Sequence, residues 1–208
     1  MDEEAPLIRY PIAALAAAGI NEIAIVVGYL GDKVRETLGS GSDFGIRLNY
    51  IYNFDYLGGN AISLHKALKW VQGEPIVLCM GDHVLEENLV KQLMEEHTSN
   101  ETLCIDYTPA PYQQIDEATK VIVDSDGCIK AIGKELVYWD ALDTGVFLLT
   151  EDFFQALNEL VRHHGSSVEI TDVIRFLVNR GHRFNTCDVS GCFWMDVDTE
   201  EDLNMTRI

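Results

Sequence analysis

The sequence predicts an α/β protein whose mixed, mostly parallel sheet carries helices on both faces and includes a small β-hairpin. Short apolar runs bounded by turn residues, such as EIAIVV and PIVLCM, are typical of strands that are covered on both faces. Through residue 107 these runs alternate with helical segments, an order that favours crossover units and parallel pairing. The 208 residues are enough for a single domain with a sizeable core.

The first half of the chain supplies four strands and four helices. An alanine-rich helix ends at Gly19, a residue type that suits the left-handed position after a helix. Asp32 is a candidate N-cap for the second helix. We expect helices at residues 8–18, 32–38, 60–71 and 86–97, and strands at residues 22–27, 46–52, 75–80 and 101–107.

The second half departs from this regular alternation. The tetrapeptide DSDG at residues 124–127 predicts a hairpin turn between two strands. Thr150 is a candidate N-cap, and Thr199 with Asp202 forms a candidate capping box for the last helix. We expect strands at residues 119–123, 128–133, 143–149 and 183–189, an extended segment at 193–198, and helices at 150–163, at 170–180 and after 198.

The charge balance is strongly acidic, with a formal net charge of −19. Nucleic acids and anionic membranes would be repelled, so neither is an expected partner. No run approaches the roughly 20 apolar residues that cross a bilayer, and the acidic start differs from the basic start of a secretory signal. Five cysteines without C-x-x-C spacing are expected to be reduced. These features predict a cytoplasmic protein.

Asp82 directly follows an apolar strand, within the triplet Gly81-Asp82-His83. Ligands of open parallel sheets gather at the carboxyl ends of the strands. A carboxylate fixed at that edge suits a hard cation that keeps waters and substrate phosphates as its other ligands. The alternative is that Asp82 only caps the next turn.

Asp196 and Asp198 lie two residues apart in the segment FWMDVD. In an extended segment both side chains point the same way, and two acids on one face repel each other unless a cation or a donor lies between them. The alternative is that Asp198 caps the last helix while Asp196 is solvated. Asp196 as a metal ligand and Asp198 as a cap are also compatible with each other.

Three further features are candidates for ligand contacts. The loop NFDYLGGN at residues 53–60 lacks the G-K-[ST] of a P-loop, but its backbone and the Asn60 amide suit the edge of a nucleobase. The alternative is that Asn60 is only an N-cap. Lys134 and Lys120 lie near strand ends, where an ammonium group contacts a phosphate as a point charge, or they are solvated surface lysines.

Eight segments in a consistent order resemble the sugar-1-phosphate nucleotidyltransferase superfamily, and within it the CTP:inositol-1-phosphate cytidylyltransferase branch. They are GINEIAIVVGY, GGNAISLHKA, VLCMGDHV, DEATKVIVD, IGKEL, WDALDTGVFLLT, ITDVI and FWMDVDTEEDL. The resemblance implies a Rossmann-like sheet of the nucleotide-diphospho-sugar transferase type with an inserted β-hairpin, formed by a single domain over residues 1–208.

The resemblance also implies roles for individual residues. Asp82 and Asp196 match paired carboxylates that hold Mg²⁺, and Lys134 matches a lysine near the acceptor phosphate, so that Asp82 and Lys134 are the implied catalytic residues. The remaining implied contacts are to the nucleobase, from Gly59, Asn60 and Ser63, and to the acceptor, from Lys120, Asp143, Thr144, Gly145 and Glu169.

The resemblance is incomplete at its N-terminal end. Such enzymes begin with a strand and a G-x-G-x-R loop that wraps the triphosphate, whereas APLIRYPIAALAAAGI resembles the segment after that loop. The first βα unit is therefore expected to be absent, and an alternative is a natural start further upstream. Because each lost charge-stabilising contact costs about 10²–10³ in rate, these 208 residues are expected to have little or no activity.

The implied activity is transfer of CMP from CTP to a small alcohol phosphate, inositol 1-phosphate in the first place, with release of pyrophosphate. The acceptor phosphate is already anionic near neutral pH, so positioning and charge neutralisation replace a general base. The expected partners are CTP, the acceptor and Mg²⁺, and a homodimer is an open alternative. The alternative functions are transfer to a sugar 1-phosphate or phosphocholine, and a non-catalytic nucleotide-binding or regulatory module.

Overall fold

The structure is a computed structural model and describes residues 6–96, 100–111, 113 and 115–205. Strands and helices alternate along the first half of the chain, as the apolar runs predict. The helices and strands of the whole described part are, in chain order, α1 (Arg9–Ala17), β1 (Glu22–Val27), α2 (Gly31–Leu38), β2 (Arg47–Tyr52), α3 (Asn60–Lys66), α4 (Leu68–Val71), β3 (Ile76–Cys79), β4 (His83–Leu85), α5 (Glu87–Glu96), β5 (Thr102–Asp106), β6 (Lys120–Val123), β7 (Ile129–Gly133), β8 (Ala141–Leu149), α6 (Glu151–His164), α7 (Ile170–Asn179), β9 (Asn185–Asp188), β10 (Trp194–Asp196) and α8 (Glu200–Met205). Residue 97, the expected end of the helix at 86–97, lies outside the described residues.

Strand β8 is the centre of the larger sheet. It pairs antiparallel with β5 along one edge, and with β3 and β6 along the other. Strand β5 continues the sheet through a parallel pair with β9, and β6 forms an antiparallel hairpin with β7. A parallel pair β1–β2 and an antiparallel pair β4–β10 complete the strand pairing among the described residues.

The α/β class, the mixed sheet and the inserted hairpin are confirmed, but the sheet is not mostly parallel. Among the described strands two pairs are parallel and five are antiparallel. Strand β8 runs antiparallel to all three of its neighbours, β3, β5 and β6, and so accounts for three of the five antiparallel pairs.

Helices cover both faces of the larger sheet. Because successive residues of a strand face opposite sides, β8 contributes Phe147 and Leu149 to one core cluster and Val146 and Leu148 to the other. The first cluster is completed by side chains of α3, α6 and α7, and the second by side chains of α1 and α5. The sheet therefore holds a core on each side.

Local sequence signals account for several of the element ends. The side chain of Asp124 accepts hydrogen bonds from the backbone N–H groups of Asp126 and Cys128, which closes the predicted hairpin turn. The predicted capping box at α8 is confirmed, because the side chains of Thr199 and Asp202 accept from each other's backbone N–H groups at 3.2 and 2.9 Å.

Some local expectations are wrong. Leu30, not Asp32, precedes α2, and the Asp32 carboxylate instead accepts a hydrogen bond from the Tyr52 hydroxyl. Gly59, not Asn60, is the cap position of α3. Strand β4 has no counterpart in the expected elements, because its three residues are too short to form a periodic pattern.

All five cysteines are free, which agrees with the expectation that they are reduced. Three of them, Cys104, Cys128 and Cys187, are buried. Of the helices in the described part of the chain, none combines the length and the apolar character that a bilayer span requires.

The core packing generates a prediction at Leu157 of α6, which has no exposed surface. Replacing Leu157 with Ala leaves a cavity between α6 and the sheet, and should lower the free energy of unfolding by about 2–5 kcal/mol. Urea denaturation followed by circular dichroism measures the change. The matched control is Gln155→Ala on the exposed side of the same helix, and an equal loss in both variants would contradict this description of the core.

Candidate active site

Asp82 and Asp196 come together where β3 ends and β10 passes beside β4. In the antiparallel pair β4–β10, Asp196 lies opposite His83, the residue after Asp82. The backbone N–H of Val197 donates to the carbonyl oxygen of Asp82 at 3.2 Å. This strand pairing places Asp196, which lies more than a hundred residues after Asp82 in the chain, at the end of the apolar strand β3.

His83 lies between the two carboxylates. Its Nδ1 atom is 2.9 Å from Asp82 Oδ1 and 3.5 Å from Asp196 Oδ1. The histidine is buried, whereas the side chains of Asp82 and Asp196 are 52% and 50% exposed. Both carboxylates therefore contact the same imidazole while remaining half-exposed to solvent. The sequence pattern did not indicate this arrangement.

The electrostatics of this cluster follow from the arrangement. The hydrogen bond with His83 lowers the pKa of Asp82, and burial raises the pKa of Asp196. Burial acts to lower the pKa of His83, but the hydrogen bond with Asp82 and the charges of Asp196, Asp82 and Asp143 together raise it. These interactions favour the protonated imidazole, whose positive charge would offset part of the negative charge.

A cavity of about 210 Å³ opens beside this cluster. Six residues singled out in the sequence line it together with His83, namely Asn60, Lys134, Asp143, Gly145, Asp196 and Asp198. Other polar lining residues that the sequence analysis did not single out are Gln113, Glu117, Thr119 and Thr171. No spacing or motif marks these four, because they reach the cavity through the folding of separate loops and of α7.

Gly145 brings β8 close to the imidazole of His83. Its φ of +76° is in the left-handed region, and an added Cβ would lie 2.7 Å from His83 Nε2. The backbone N–H of Gly145 donates to the Asp143 carboxylate at 2.7 Å. Burial raises the pKa of Asp143 to about 6, although the hydrogen bond from Gly145 and the charge of His83 oppose this shift.

Asn60 and Glu169 are joined by a hydrogen bond within the fold. The backbone N–H of Asn60 donates to the Glu169 carboxylate at 2.9 Å, and the Asn60 side-chain oxygen accepts from the backbone N–H of Ile170 at 2.8 Å. Gly59 permits this contact, since an added Cβ would lie 2.2 Å from the Val168 carbonyl oxygen. The expected nucleobase segment is therefore also a structural joint between α3 and α7.

The remaining expected contacts divide between the cavity and the interior. Lys134 is exposed and lines the cavity, whereas the buried ammonium group of Lys120 donates to the carbonyl oxygen of Lys134 at 3.0 Å and to that of Ala118 at 3.3 Å. The buried Thr144 hydroxyl donates to the Cys104 carbonyl oxygen. Ser63 accepts a hydrogen bond from the Asn53 amide at 3.1 Å and does not line this cavity.

The donor set of Asp82 and Asp196 fits a divalent cation. Their carboxylate oxygens and His83 Nδ1 lie within 4.8 Å of one another, and half-exposed carboxylates leave room for waters or phosphate oxygens. A second cluster, of Glu101, Asp152 and His182, has the same spacing. There, however, the buried Glu101 carboxylate already accepts hydrogen bonds from the Thr150 hydroxyl and from His182, so it joins α6 to the sheet.

The raised pKa of Asp143 generates a prediction about stability. Between the ordinary pKa of 3.8 and the folded value of about 6, the folded state binds more protons than the unfolded state. The free energy of unfolding should therefore fall as the pH rises from about 4 to about 6. Asp143→Asn should reduce this fall, as measured by urea unfolding at successive pH values. Asp126→Asn, at an exposed hairpin turn, is the control, and an unchanged pH profile in Asp143→Asn would contradict the assignment.

Known proteins resemble this chain over nearly its whole length. A bifunctional IPC transferase and DIPP synthase of Rubrobacter xylanophilus is 30% identical over 202 residues, which cover 97% of this chain and 44% of that protein. A low-salt glycan biosynthesis nucleotidyltransferase of Haloferax volcanii is 28% identical over 95% of this chain and 55% of its own length. The chain thus spans about half the length of these relatives, or less.

A solved structure shows the same fold. The inositol-1-phosphate CTP transferase of T. maritima superposes with a TM-score of 0.86 at 23% identity, covering all of this chain and 82% of the other. The resemblance noted from the sequence motifs is confirmed, and this family generally uses a divalent metal ion. Since the family model for nucleotidyl transferases matches residues 1–206, the chain belongs to the nucleotidyl transferase family.

Proposed function

We propose that this site transfers CMP from CTP to inositol 1-phosphate and releases pyrophosphate. The observation that carries the proposal is the cavity in which Lys134 and Asp143 lie beside the paired carboxylates of Asp82 and Asp196. The names of the Rubrobacter and T. maritima relatives, an IPC transferase and an inositol-1-phosphate CTP transferase, support the nucleotide and the acceptor.

In this proposal the metal ion is Mg²⁺, held by Asp82 and Asp196. Carboxylate oxygens that leave several coordination positions for water and phosphate are the donor set that Mg²⁺ prefers. When bound, the ion would supply charge neutralisation for the phosphates. His83 is a positioning residue, because its hydrogen bond to Asp82 and its proximity to Asp196 hold both carboxylates at one edge of the sheet.

The acceptor would lie in the cavity with its phosphate near Lys134. An oxygen of the acceptor phosphate attacks the α-phosphorus of CTP, a new P–O bond forms, and the bond to the pyrophosphate oxygen breaks. The ammonium group of Lys134 stabilises negative charge on the phosphates as a point charge. Asp143 and the amide of Gln113 offer polar groups to the hydroxyls of an alcohol.

Lys120 takes a different role in this proposal from the one that resemblance implied. Its ammonium group is buried and bonded to backbone carbonyl oxygens, one of them that of Lys134. Lys120 therefore positions the segment that carries Lys134 rather than touching a substrate. In the same way, Glu169 acts through its contact with Asn60.

A second candidate is transfer of a nucleotide to a sugar 1-phosphate. The Haloferax relative and two glucose-1-phosphate thymidylyltransferases of Streptomyces, which are 21% and 22% identical to this chain, support it. Both candidates use the same metal and phosphate groups, so the difference lies in the cavity around Asp143. The nucleotide and acceptor that support turnover separate the two.

The carboxylate pair generates a prediction about metal affinity. Asp82→Asn and Asp196→Asn should each weaken the binding of Mg²⁺, or of Mn²⁺ as its spectroscopic substitute, by roughly tenfold or more. Isothermal titration and Mn²⁺ paramagnetic resonance measure this without any turnover. Asp126→Asn removes the same charge at a distant hairpin turn and should bind as the unaltered protein does. Equal affinity in all four proteins would contradict a metal site at Asp82 and Asp196.

The proposed reaction is tested by pyrophosphate release in the presence of Mg²⁺. CTP with inositol 1-phosphate is compared with UTP, dTTP and GTP, and with glucose 1-phosphate and phosphocholine as acceptors. We expect release with the first pair at the low rate that the sequence predicts, and a further loss of about 10²–10³ in rate in Lys134→Gln. Lys130→Gln on β7 is the matched control for charge.

The other outcomes are equally informative. Release with dTTP or UTP and glucose 1-phosphate would favour the second candidate. An absence of release from every pair, with metal affinity retained, would contradict transfer by this chain and leave a nucleotide-binding or regulatory module.

A further inference from the structure

Glu101, Asp152 and His182 form a cluster of metal-ligand residue types outside the candidate active site. Glu101 directly precedes β5, Asp152 lies in the first turn of α6, and His182 follows α7. One donor atom of each residue lies within 4.8 Å of the donor atoms of the other two. Three separate parts of the chain therefore bring two carboxylates and one imidazole to a single point.

The cluster lies at the opposite end of the larger sheet from Asp82 and Asp196. Thr150, whose hydroxyl donates to Glu101, follows the last residue of β8, whereas Asp143 of the same strand lines the cavity. Seven residue steps of extended chain separate Asp143 from Thr150, a distance of roughly 24 Å at about 3.4 Å per residue. The cluster is therefore too far from the candidate active site to share a metal ion with it.

Glu101 is the innermost member of the cluster. Its side chain is 4% exposed, that of His182 is 26% exposed, and Asp152 is an exposed residue. Burial acts to raise the pKa of Glu101, but the hydrogen bonds from Thr150 and His182 outweigh this effect, and the pKa lies below its ordinary value. Glu101 is therefore negatively charged near neutral pH, and the cluster opens to solvent on the side of Asp152.

The positive charge around these two carboxylates is small. Among the described residues, no lysine or arginine forms an ion pair with Glu101 or Asp152. Arg180 and Arg183, which flank His182 in the chain, pair with other acids at 3.0 and 3.3 Å. The two carboxylates thus share one imidazole, and like charges this close repel each other unless a cation lies between them.

We propose that Glu101, Asp152 and His182 hold a zinc ion, with a water molecule as its fourth ligand. Imidazole nitrogen and carboxylate oxygen bind Zn²⁺ at about 2.0–2.2 Å, and three protein ligands with one water are typical of an open tetrahedral site. Mg²⁺ dehydrates reluctantly and usually keeps several waters, whereas Glu101 has almost no contact with solvent. A buried carboxylate beside an imidazole therefore favours Zn²⁺ over Mg²⁺.

The distances between the donor atoms need little change to accept the ion. In a tetrahedral site with bonds of this length the donor atoms are about 3.3 Å apart. Nε2 of His182 already lies 2.9 Å from Oε2 of Glu101, and the side chain of Asp152 is free to turn at the surface. The ion would lie between Nε2 and the carboxylate, with the ring proton on Nδ1.

Thr150 supports the cluster from the side of the sheet. Its hydroxyl donates to Oε1 of Glu101, while Oε2 of the same carboxylate faces His182. Hydrogen bonds of this kind orient the ligands of metal sites. Thr150 is also the residue before α6, so the same contact fixes the start of the helix that carries Asp152. The fold itself therefore holds the donor atoms near one another.

A zinc ion at this cluster would link β5, α6 and the segment after α7. Since the three ligands come together only in the folded state, binding would raise the free energy of unfolding with the logarithm of the zinc concentration. The role is structural. It does not depend on the reaction proposed above, because none of the three residues lines the cavity.

The test is titration of the metal-free protein with Zn²⁺ in an excess of Mg²⁺, followed by calorimetry, and with Co²⁺, whose visible absorption reports tetrahedral coordination. We expect one zinc site that survives in Asp82→Asn. Its affinity should fall about tenfold or more in Asp152→Asn and in His182→Gln. Glu151→Gln is the matched control, because it removes the same charge from the same turn of α6 and should bind Zn²⁺ as the unaltered protein does.

Three results would overturn the proposal. Equal affinity in Asp152→Asn and Glu151→Gln would reduce the cluster to a hydrogen-bonded joint between α6 and the sheet. Loss of the zinc site in Asp82→Asn would assign the ion to the candidate active site. An absence of saturable binding to the unaltered protein would exclude a metal ion here. Because Asp152 is exposed, its variant should keep the fold, which circular dichroism checks, so the comparison stands even where His182→Gln unfolds.

Discussion

Strand β8 is the constraint on which both the core and the candidate site depend. Its nine residues pair on one edge with β5 and on the other with β3 and β6, so it fixes the positions of strands from distant parts of the chain. Its alternating side chains belong to the two core clusters. At Gly145 its backbone approaches His83, and Asp143 enters the cavity two residues earlier. A single strand therefore contributes residues both to the core and to the candidate active site.

The site shows how an acidic chain accommodates several carboxylates close together. With a net charge of −19, further acids at one point are costly unless a cation lies among them. His83 lies among the carboxylates inside the fold, and the charges of Asp82, Asp196 and Asp143 help to raise its pKa, which favours the positively charged imidazole. The carboxylates remain half-exposed, with the imidazole on their inner side. This leaves their outer side to a metal ion or a phosphate-bound cation.

Most of the fold could be predicted from the sequence, because its strands are short apolar runs between clear turn residues. EIAIVV matches β1 at both ends, and DSDG marks the β6–β7 turn. The pairing of the strands could not be predicted, because spacing along the chain does not state which edges meet. The three-residue pair β4–β10 is the clearest case, since it alone explains why Asp196 lies beside Asp82.

Family motifs identified both aspartates, but not the imidazole between them. They also assigned Asn60 and Lys120 to ligands, which stays a prediction. Within the fold, the backbone N–H and side-chain oxygen of Asn60 and the ammonium group of Lys120 make hydrogen bonds.

The bonds made by Lys120 have a consequence for covalent labelling of the protein. An amine is acylated only when it can lose its proton and meet the reagent, and the ammonium group of Lys120 is buried and held by carbonyl oxygens. Lys134, one hairpin away, is exposed at the cavity. Acylating reagents therefore distinguish two lysines that resemblance to the family placed in the same pocket. Lys120 stabilises the fold through its hydrogen bonds to backbone carbonyl oxygens, and its modification requires local opening of the fold.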